Sequence, residues 1–154
     1  MKLVDLIYKD AISIGGSFGA STEAIEALTD KLCLLGKIEH RGQFVAAVIE
    51  REEQGPTALG EGLAVPHGKS DSVIEPCVAI AILDSPVKWV GIDEDEEDVD
   101  IIVLLGIPLA HQGDTHIALL SELTCLLIDD EFRDSIKRVN SAEALIELIR
   151  TASE

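Results

Sequence analysis

A histidine that follows a proline and precedes a glycine is the first candidate for chemistry in this chain. His67 comes after residues 62–65, which have the composition of a strand. Pro66 stiffens the backbone before the ring, and Gly68 removes side-chain bulk beside it. The pattern predicts an imidazole displayed at the end of a strand and not packed in the core. The tripeptide alone nevertheless favours an ordinary turn that contains a histidine, so a functional role needs further context.

A second histidine supplies part of that context. Asp114 is a candidate helix cap, which puts His116 in the first helical turn, where unpaired backbone N–H groups point outward. Such a helix end stabilises an anion and disfavours a protonated ring, so a phosphoryl group on His67 would find donors there if the two sites converge. A partly exposed histidine at a helix start explains His116 equally well. His111 is expected in a loop, and His40 stands in a turn without a functional signal.

Arg51 is the third candidate, near the end of a predicted helix and shortly before the strand that leads to His67. An arginine guanidinium can neutralise phosphoryl oxygens through two parallel hydrogen bonds. Within the charged triplet Arg51-Glu52-Glu53, a solvated side chain is the simpler interpretation from the residues alone.

Other chemistries fit the sequence less well. Residues 15–19 are glycine-rich but lack the lysine and the preceding strand of a phosphate-binding loop. His67, His111 and His116 contain no pair at the helical spacing of a zinc site. The run Asp93–Asp98 lacks the alternation and glycine of a calcium loop and is interpreted as a solvated loop. We therefore expect neither a metal nor a cofactor.

The overall charge excludes several partners. A net charge of −17 over 154 residues repels nucleic acid and anionic membranes.

Cys33, Cys77 and Cys125 are widely spaced in apolar surroundings, which favours buried thiols in a reducing compartment. Asp5 and Asp10 interrupt any leader-like segment, and residues 101–110 are too short to span a bilayer. The sequence thus predicts a soluble cytoplasmic protein with no membrane insertion.

The apolar pattern predicts one α/β domain over residues 1–154. Residues 77–83 and 101–105 are apolar at successive positions, which indicates strands buried on both faces and therefore covered by helices on both sides. The expected architecture is a three-layer helix/sheet/helix sandwich. Helices are predicted over residues 21–35 (capped by Ser21), 43–53, from Asp114 through Leu127, 131–139, and from a cap at Asn140 or Ser141 onward.

Together these residues resemble enzyme IIA of the bacterial sugar phosphotransferase system, type 2, fructose/mannitol class. The most specific match is Arg51, then Thr57-x-x-Gly60-x-Gly62, then a strand that ends in Pro66-His67-Gly68. Further segments look like the fructose class: Val73-x-x-Pro76, Pro86-Val87-x-Trp89, Ile101 to Gly106, Thr115-His116-Ile117-x-Leu119-Leu120 and Leu126-Leu127-x-Asp129-Asp130-Glu131-Phe132-Arg133. The acidic stretch Asp93 to Asp98 departs from the family by its length and charge.

The resemblance implies a central mixed β-sheet and a phosphotransferase with a phosphohistidine intermediate. His67 would accept a phosphoryl group from HPr and pass it to a cysteine of enzyme IIB, which serves the membrane component enzyme IIC. His116 would position the phosphoryl group and Arg51 would neutralise it. Two alternatives remain: a nitrogen-type regulatory enzyme IIA, whose phosphorylation state controls partner binding, and a phosphate-independent binding domain like the cytoplasmic regions of anion exchangers.

Overall fold

The computed structural model describes residues 3–91, 94–109 and 114–153, and for residues 114–117 it describes the backbone alone. Within these ranges a 3-10 helix (Leu3–Leu6) precedes six strands and five α-helices. The strands are β1 (Ile7–Ile14), β2 (Ala58–Gly60), β3 (Leu63–Ala64), β4 (His67–Ser70), β5 (Cys77–Val90) and β6 (Glu96–Pro108). The helices are α1 (Ser21–Leu34), α2 (Arg41–Gln54), α3 (Asp114–Leu127), α4 (Asp130–Lys137) and α5 (Ala142–Ala152).

The described strands form one mixed sheet, as the family resemblance implied. Its order is β1-β5-β6-β3-β2, and β4 also pairs with β6. β5 and β6 are antiparallel, whereas β1 runs parallel to β5, and both β3 and β4 run parallel to β6. Because β3 and β4 follow each other along the same side of β6, the short link between them lies beside the middle of that strand.

Helices cover both faces of the sheet, so the predicted three-layer sandwich is confirmed. Successive residues of β5 alternate between two cores: Cys77, Ala79 and Ala81 pack with α1 and α2, while Val78 and Ile80 pack with the C-terminal helices. Strand residues buried on both faces explain the unbroken apolar runs in the sequence. None of the helices in the described ranges combines the length and apolar character that a membrane crossing needs.

Most predicted helix ends are close to the observed ones. Ser141 is the N-cap of α5, and its side chain accepts a hydrogen bond from the Ala144 N–H at 3.1 Å. Ser21, predicted as a cap, is instead the first helical residue, since Ala20 is the N-cap and no side-chain cap bond forms. α3 begins at Asp114, but the predicted capping contact of that side chain lies outside the described residues.

Two segments differ from the prediction. β1 is a strand that the sequence pattern does not indicate, because Lys9 and Asp10 lie in an irregular stretch where its pairing with β5 shifts. The acidic run is not a loop throughout: residues 96–98 belong to β6 and pair with residues 88–90 of β5. Strand pairing satisfies the backbone there while the Glu96 and Asp98 side chains stay in solvent. Asp93 lies outside the described residues.

Candidate functional site

His67 is the first residue of β4, where it pairs with Leu105 of β6. The prediction of a displayed imidazole is wrong, because only 8 % of the residue is exposed. Two backbone hydrogen bonds hold the segment that leads to His67. The Val65 N–H donates to the Thr57 carbonyl at 3.1 Å, and the Leu105 N–H donates to the Pro66 carbonyl at 3.0 Å. The histidine thus begins a second short strand on β6 and is recessed into the sheet.

The imidazole of His67 is held by its own backbone. Nδ1 lies 3.0 Å from the carbonyl oxygen of Val65, and since a carbonyl can only accept, Nδ1 carries the proton in this bond. Pro66, between the two residues, restricts Val65 to extended backbone angles. The hydrogen bond selects the tautomer whose lone pair is on Nε2.

The surroundings of His67 favour its neutral form. Burial lowers the pKa of His67 below its ordinary 6.5, the Val65 carbonyl opposes this in part, and the positive charge of Arg51 lowers the pKa further. The ring is therefore neutral at pH 7. A neutral imidazole with a directed lone pair is a nucleophile that needs no additional base.

Gly68 lets α2 approach the sheet closely. A Cβ at this position would lie 2.9 Å from Cγ2 and 3.3 Å from the backbone nitrogen of Val48, and 3.3 Å from Cε1 of Phe44. The missing side chain therefore faces α2. Gly68 pairs with Gly106 across β4 and β6, and the Phe44 ring packs over both glycines. This close approach brings the C-terminal part of α2 beside His67.

Arg51 and His67 line the same pocket, as the sequence analysis required. The pocket has a volume of about 430 Å³ and lies between one face of α2 and the start of β4. Its lining residues are Ala47, Glu50, Arg51, Gln54, His67, Gly68 and Lys69. The lining includes two cations, Arg51 and Lys69, and one carboxylate, Glu50, so its net charge is positive and the pocket favours an anion.

The Arg51 guanidinium is anchored at the end of its own helix. Its Nη1 donates to the Gly55 carbonyl at 2.8 Å. Among the described residues no carboxylate forms an ion pair with Arg51. Because one guanidinium has five N–H donors, most of them remain for an anion in the pocket. Anchoring at Gly55 also counters the partial negative charge at the C-terminus of α2.

The sequence analysis missed Glu50, Gln54 and Lys69 as pocket residues. The signal for two of them was present, because residues 47, 50, 51 and 54 have the spacing of one helix face. Lys69 carried no such signal, since its place in the pocket depends on β4, which the sequence pattern did not indicate as a strand.

His116 lies in the first turn of α3, in agreement with its predicted place on the helix. Its side chain lies outside the described residues, as does all of His111. Five residues, 109–113, separate the end of β6 from α3, so this turn begins near the end of the strand that pairs with β4. In the part of the chain that the structure describes, no group of three or more His, Cys, Asp or Glu side chains could hold a metal ion.

Known proteins resemble this chain over nearly its whole length. The 2-O-α-mannosyl-D-glycerate-specific EIIABC component of the phosphotransferase system (PTS) from Escherichia coli K12 is 47 % identical over 95 % of this chain and 22 % of its own length. The fructose-specific EIIABC component of the PTS from Bacillus subtilis 168 is 30 % identical over 97 % of this chain and 23 % of its own length. The chain thus spans about a fifth to a quarter of these relatives.

A solved structure extends the likeness to the fold. In the complex of enzyme IIAMtl with phosphorylated enzyme IIBMtl from Escherichia coli, one chain is 25 % identical, with a TM-score of 0.79 over 94 % of this chain and 97 % of that one. The family model described as "Phosphoenolpyruvate-dependent sugar phosphotransferase system, EIIA 2" matches residues 5–152. With the pocket that joins His67 to Arg51, these matches lead to one conclusion: the chain belongs to the type 2 enzyme IIA family of the sugar phosphotransferase system, a family of phosphotransfer proteins.

Proposed function

We propose that His67 carries the phosphoryl group in this protein and that Nε2 is the atom that bonds to phosphorus. The observation that supports this most directly is the bond from Nδ1–H to the Val65 carbonyl, which leaves the lone pair on Nε2. The lowered pKa keeps that lone pair unprotonated at pH 7. The cationic lining of the pocket suits a group that arrives with negative charge.

The relay has two displacement steps at phosphorus. In the first, the Nε2 lone pair forms an N–P bond while the bond between phosphorus and the donor breaks, and the proton stays on Nδ1 against Val65. In the second, the deprotonated sulfur (thiolate) of an acceptor cysteine forms an S–P bond while the N–P bond breaks and the electron pair returns to Nε2. Phosphoryl transfer of this kind depends mainly on alignment and charge stabilisation.

Arg51 and His116 have supporting roles in the proposal. Arg51 donates to the phosphoryl oxygens from the side of α2 and neutralises their charge, with Lys69 as a second cation at the rim. His116 positions the phosphoryl group from the first turn of α3, where helical N–H groups favour an anion.

The partners follow from the family. We propose that HPr donates the phosphoryl group and that a cysteine of enzyme IIB accepts it, with the membrane transporter enzyme IIC as an indirect partner in sugar uptake and residues 1–154 acting as one cytoplasmic domain. Both relatives named above are transport components, one for 2-O-α-mannosyl-D-glycerate and one for fructose, which supports transport over nitrogen-type regulation. The membrane component then selects the sugar.

The test is labelling with ³²P-phosphoenolpyruvate, enzyme I and HPr, followed by mapping of the labelled residue. We expect one phosphoryl group per chain on His67, none in His67→Ala, and full labelling in His40→Ala, a matched loss of an exposed histidine at the start of α2. Stoichiometric labelling of His67→Ala would overturn the assignment.

Adding an enzyme IIB separates transport from regulation. In a transport relay the label leaves His67 and appears on the enzyme IIB cysteine within the catalytic time course. Label that stays on His67 while the protein gains or loses affinity for another partner would favour the regulatory alternative.

A further inference from the structure

A chain of hydrogen bonds leads from the far side of α2 to the imidazole of His67. It begins at Glu52, whose carboxylate accepts from Trp89 Nε1 at 3.3 Å and from both the hydroxyl and the backbone N–H of Thr57. The Thr57 carbonyl accepts from the Val65 N–H at 3.1 Å, and the Val65 carbonyl accepts from His67 Nδ1 at 3.0 Å. The link from Trp89 joins positions 37 residues apart, and the other links run within residues 52–67.

This chain is well shielded from solvent. Thr57 and Val65 are each 5 % exposed and Trp89 is 2 % exposed, while Glu52 is half-buried. A hydrogen bond to a charged acceptor in such surroundings is about twice as strong as a neutral one. Two donors of Thr57 and the indole N–H of Trp89 bind the Glu52 carboxylate, which holds Thr57 in one position. Through its carbonyl, Thr57 in turn holds the strand segment that ends at Val65.

The side chains of the neighbouring residues Arg51 and Glu52 lie on different sides of α2. Arg51 lines the pocket with His67, whereas Glu52 points to Trp89 and Thr57 on the side of α2 away from that pocket. The end of α2 is therefore linked to the site in two ways. The Arg51 guanidinium lines the pocket directly, and Glu52 is connected to the imidazole through the hydrogen bonds of Thr57 and Val65.

We propose that Glu52 and Thr57 are positioning residues for phosphoryl transfer, which fix the Val65 carbonyl and thereby hold His67 in the tautomer that presents its Nε2 lone pair. The inference rests on the proposed function of His67 and extends it to residues that touch neither the phosphoryl group nor the imidazole. The competing explanation is that the Glu52 cluster only fastens the end of α2 to the sheet. If that explanation holds, variants of the cluster lower the stability of the protein and leave the tautomer of His67 unchanged.

The decisive variant is Thr57→Val, which keeps the shape and backbone of the residue and removes the hydroxyl. Thr29→Val is the matched control, because Thr29 is buried as well and its hydroxyl also donates a hydrogen bond, in this case to the backbone carbonyl of Ile25 on α1 at 2.7 Å and not to the Glu52 carboxylate. Thr57→Ser restores the hydroxyl. Glu52→Gln is the second perturbation, which weakens the same link should Thr57→Val fail to fold.

Two readouts separate positioning from stability. The first is the ¹⁵N spectrum of the His67 imidazole in the unphosphorylated protein, where we expect a single Nδ1–H tautomer in the wild type and a mixture in Thr57→Val. The second is the single-turnover rate of transfer from saturating phospho-HPr, which we expect to fall about tenfold or more in Thr57→Val, with an unchanged concentration of HPr for half-saturation. Thr57→Ser should recover both, and Thr29→Val should change neither.

The inference is overturned if Thr57→Val and Glu52→Gln keep the single tautomer and transfer at the rate of Thr29→Val, whatever their loss of stability. Because the spectrum is recorded without phosphorylation, this failure differs from failure of the proposed function, in which the wild type would not be labelled on His67.

Discussion

Replacing Gly68 with alanine tests whether the close approach of α2 to the sheet sets the geometry of the site. The new Cβ would lie 2.9 Å from Cγ2 of Val48, whereas carbon atoms pack best at about 3.5–4.0 Å. Val48 is fully buried and its χ1 angle is stiff in a helix, and the Val48 backbone nitrogen at 3.3 Å also cannot turn away. The helix must therefore move by roughly 0.6–1.1 Å, the difference between these separations.

Overpacking of this size typically costs about 1–3 kcal/mol. We expect Gly68→Ala to lower the free energy of unfolding by about 2 kcal/mol, which is about a 30-fold change in the unfolding equilibrium constant. Urea denaturation measures this loss as a fall in the midpoint. The displaced helix also carries Arg51, so the rate of phosphoryl transfer should decrease in the same variant.

Two further variants control the experiment. Gly42→Ala lies in the same helix, where a Cβ would meet no heavy atom within 4 Å, so stability should rise by up to about 1 kcal/mol. In Val48→Ala the clashing methyl group is absent, so adding Gly68→Ala should cost less there, with a coupling of at least about 0.5 kcal/mol. Equal costs of Gly68→Ala in both backgrounds, or an undiminished unfolding free energy, would refute the packing argument.

Three other predictions concern single groups. Because burial lowers the pKa of His67, an NMR titration of its ring should give a midpoint below 6.5. The unfolded chain then binds this proton at a higher pH than the folded protein does, so the free energy of unfolding should decrease as the pH drops through 6.5. A midpoint at or above 6.5 contradicts this prediction. Burial raises the pKa of Cys77 to about 12. Cys125 is exposed, so the expected burial of all three thiols is wrong, and a maleimide at pH 7.5 should modify Cys125 rapidly and Cys77 only after unfolding; equal rates would refute this expectation. Ser141→Ala removes the acceptor for the Ala144 N–H and should cost about 1 kcal/mol in urea denaturation, whereas no loss would show that the cap is dispensable.

Much of the fold could be predicted because its pattern is local. The apolar runs 77–83 and 101–105 indicated strands buried on both faces, and that alone required a helical layer on each side. β1 escaped prediction because Lys9 and Asp10 break its apolar pattern, and it is a strand only through its pairing with β5. Similarly, residues 96–98 are highly charged and become strand through the partner that β5 offers them.

The candidate site was predictable in its residue types and not in its geometry. His67 and Arg51 were singled out from the residues around them and from the family pattern, and they line one pocket. Glu52 gave no signal, because its charged triplet is typical of a solvated helix end. Its hydrogen bond to Trp89 connects positions 37 residues apart, which no short sequence window contains, and its bonds to Thr57, five residues away, depend on how the chain turns after α2.

The sequence by itself determined the three layers, the identity of the central histidine and the arginine beside it, because hydrophobic periodicity and residue chemistry act locally. Only the tertiary structure decided how His67 is placed. Its pairing with Leu105 recesses the ring, the Val65 carbonyl selects its tautomer, and Gly68 lets α2 pack close to β4. The strand pairing and the approach of α2 join segments that are distant in the chain, and they bury a histidine that the local sequence pattern predicted to be displayed.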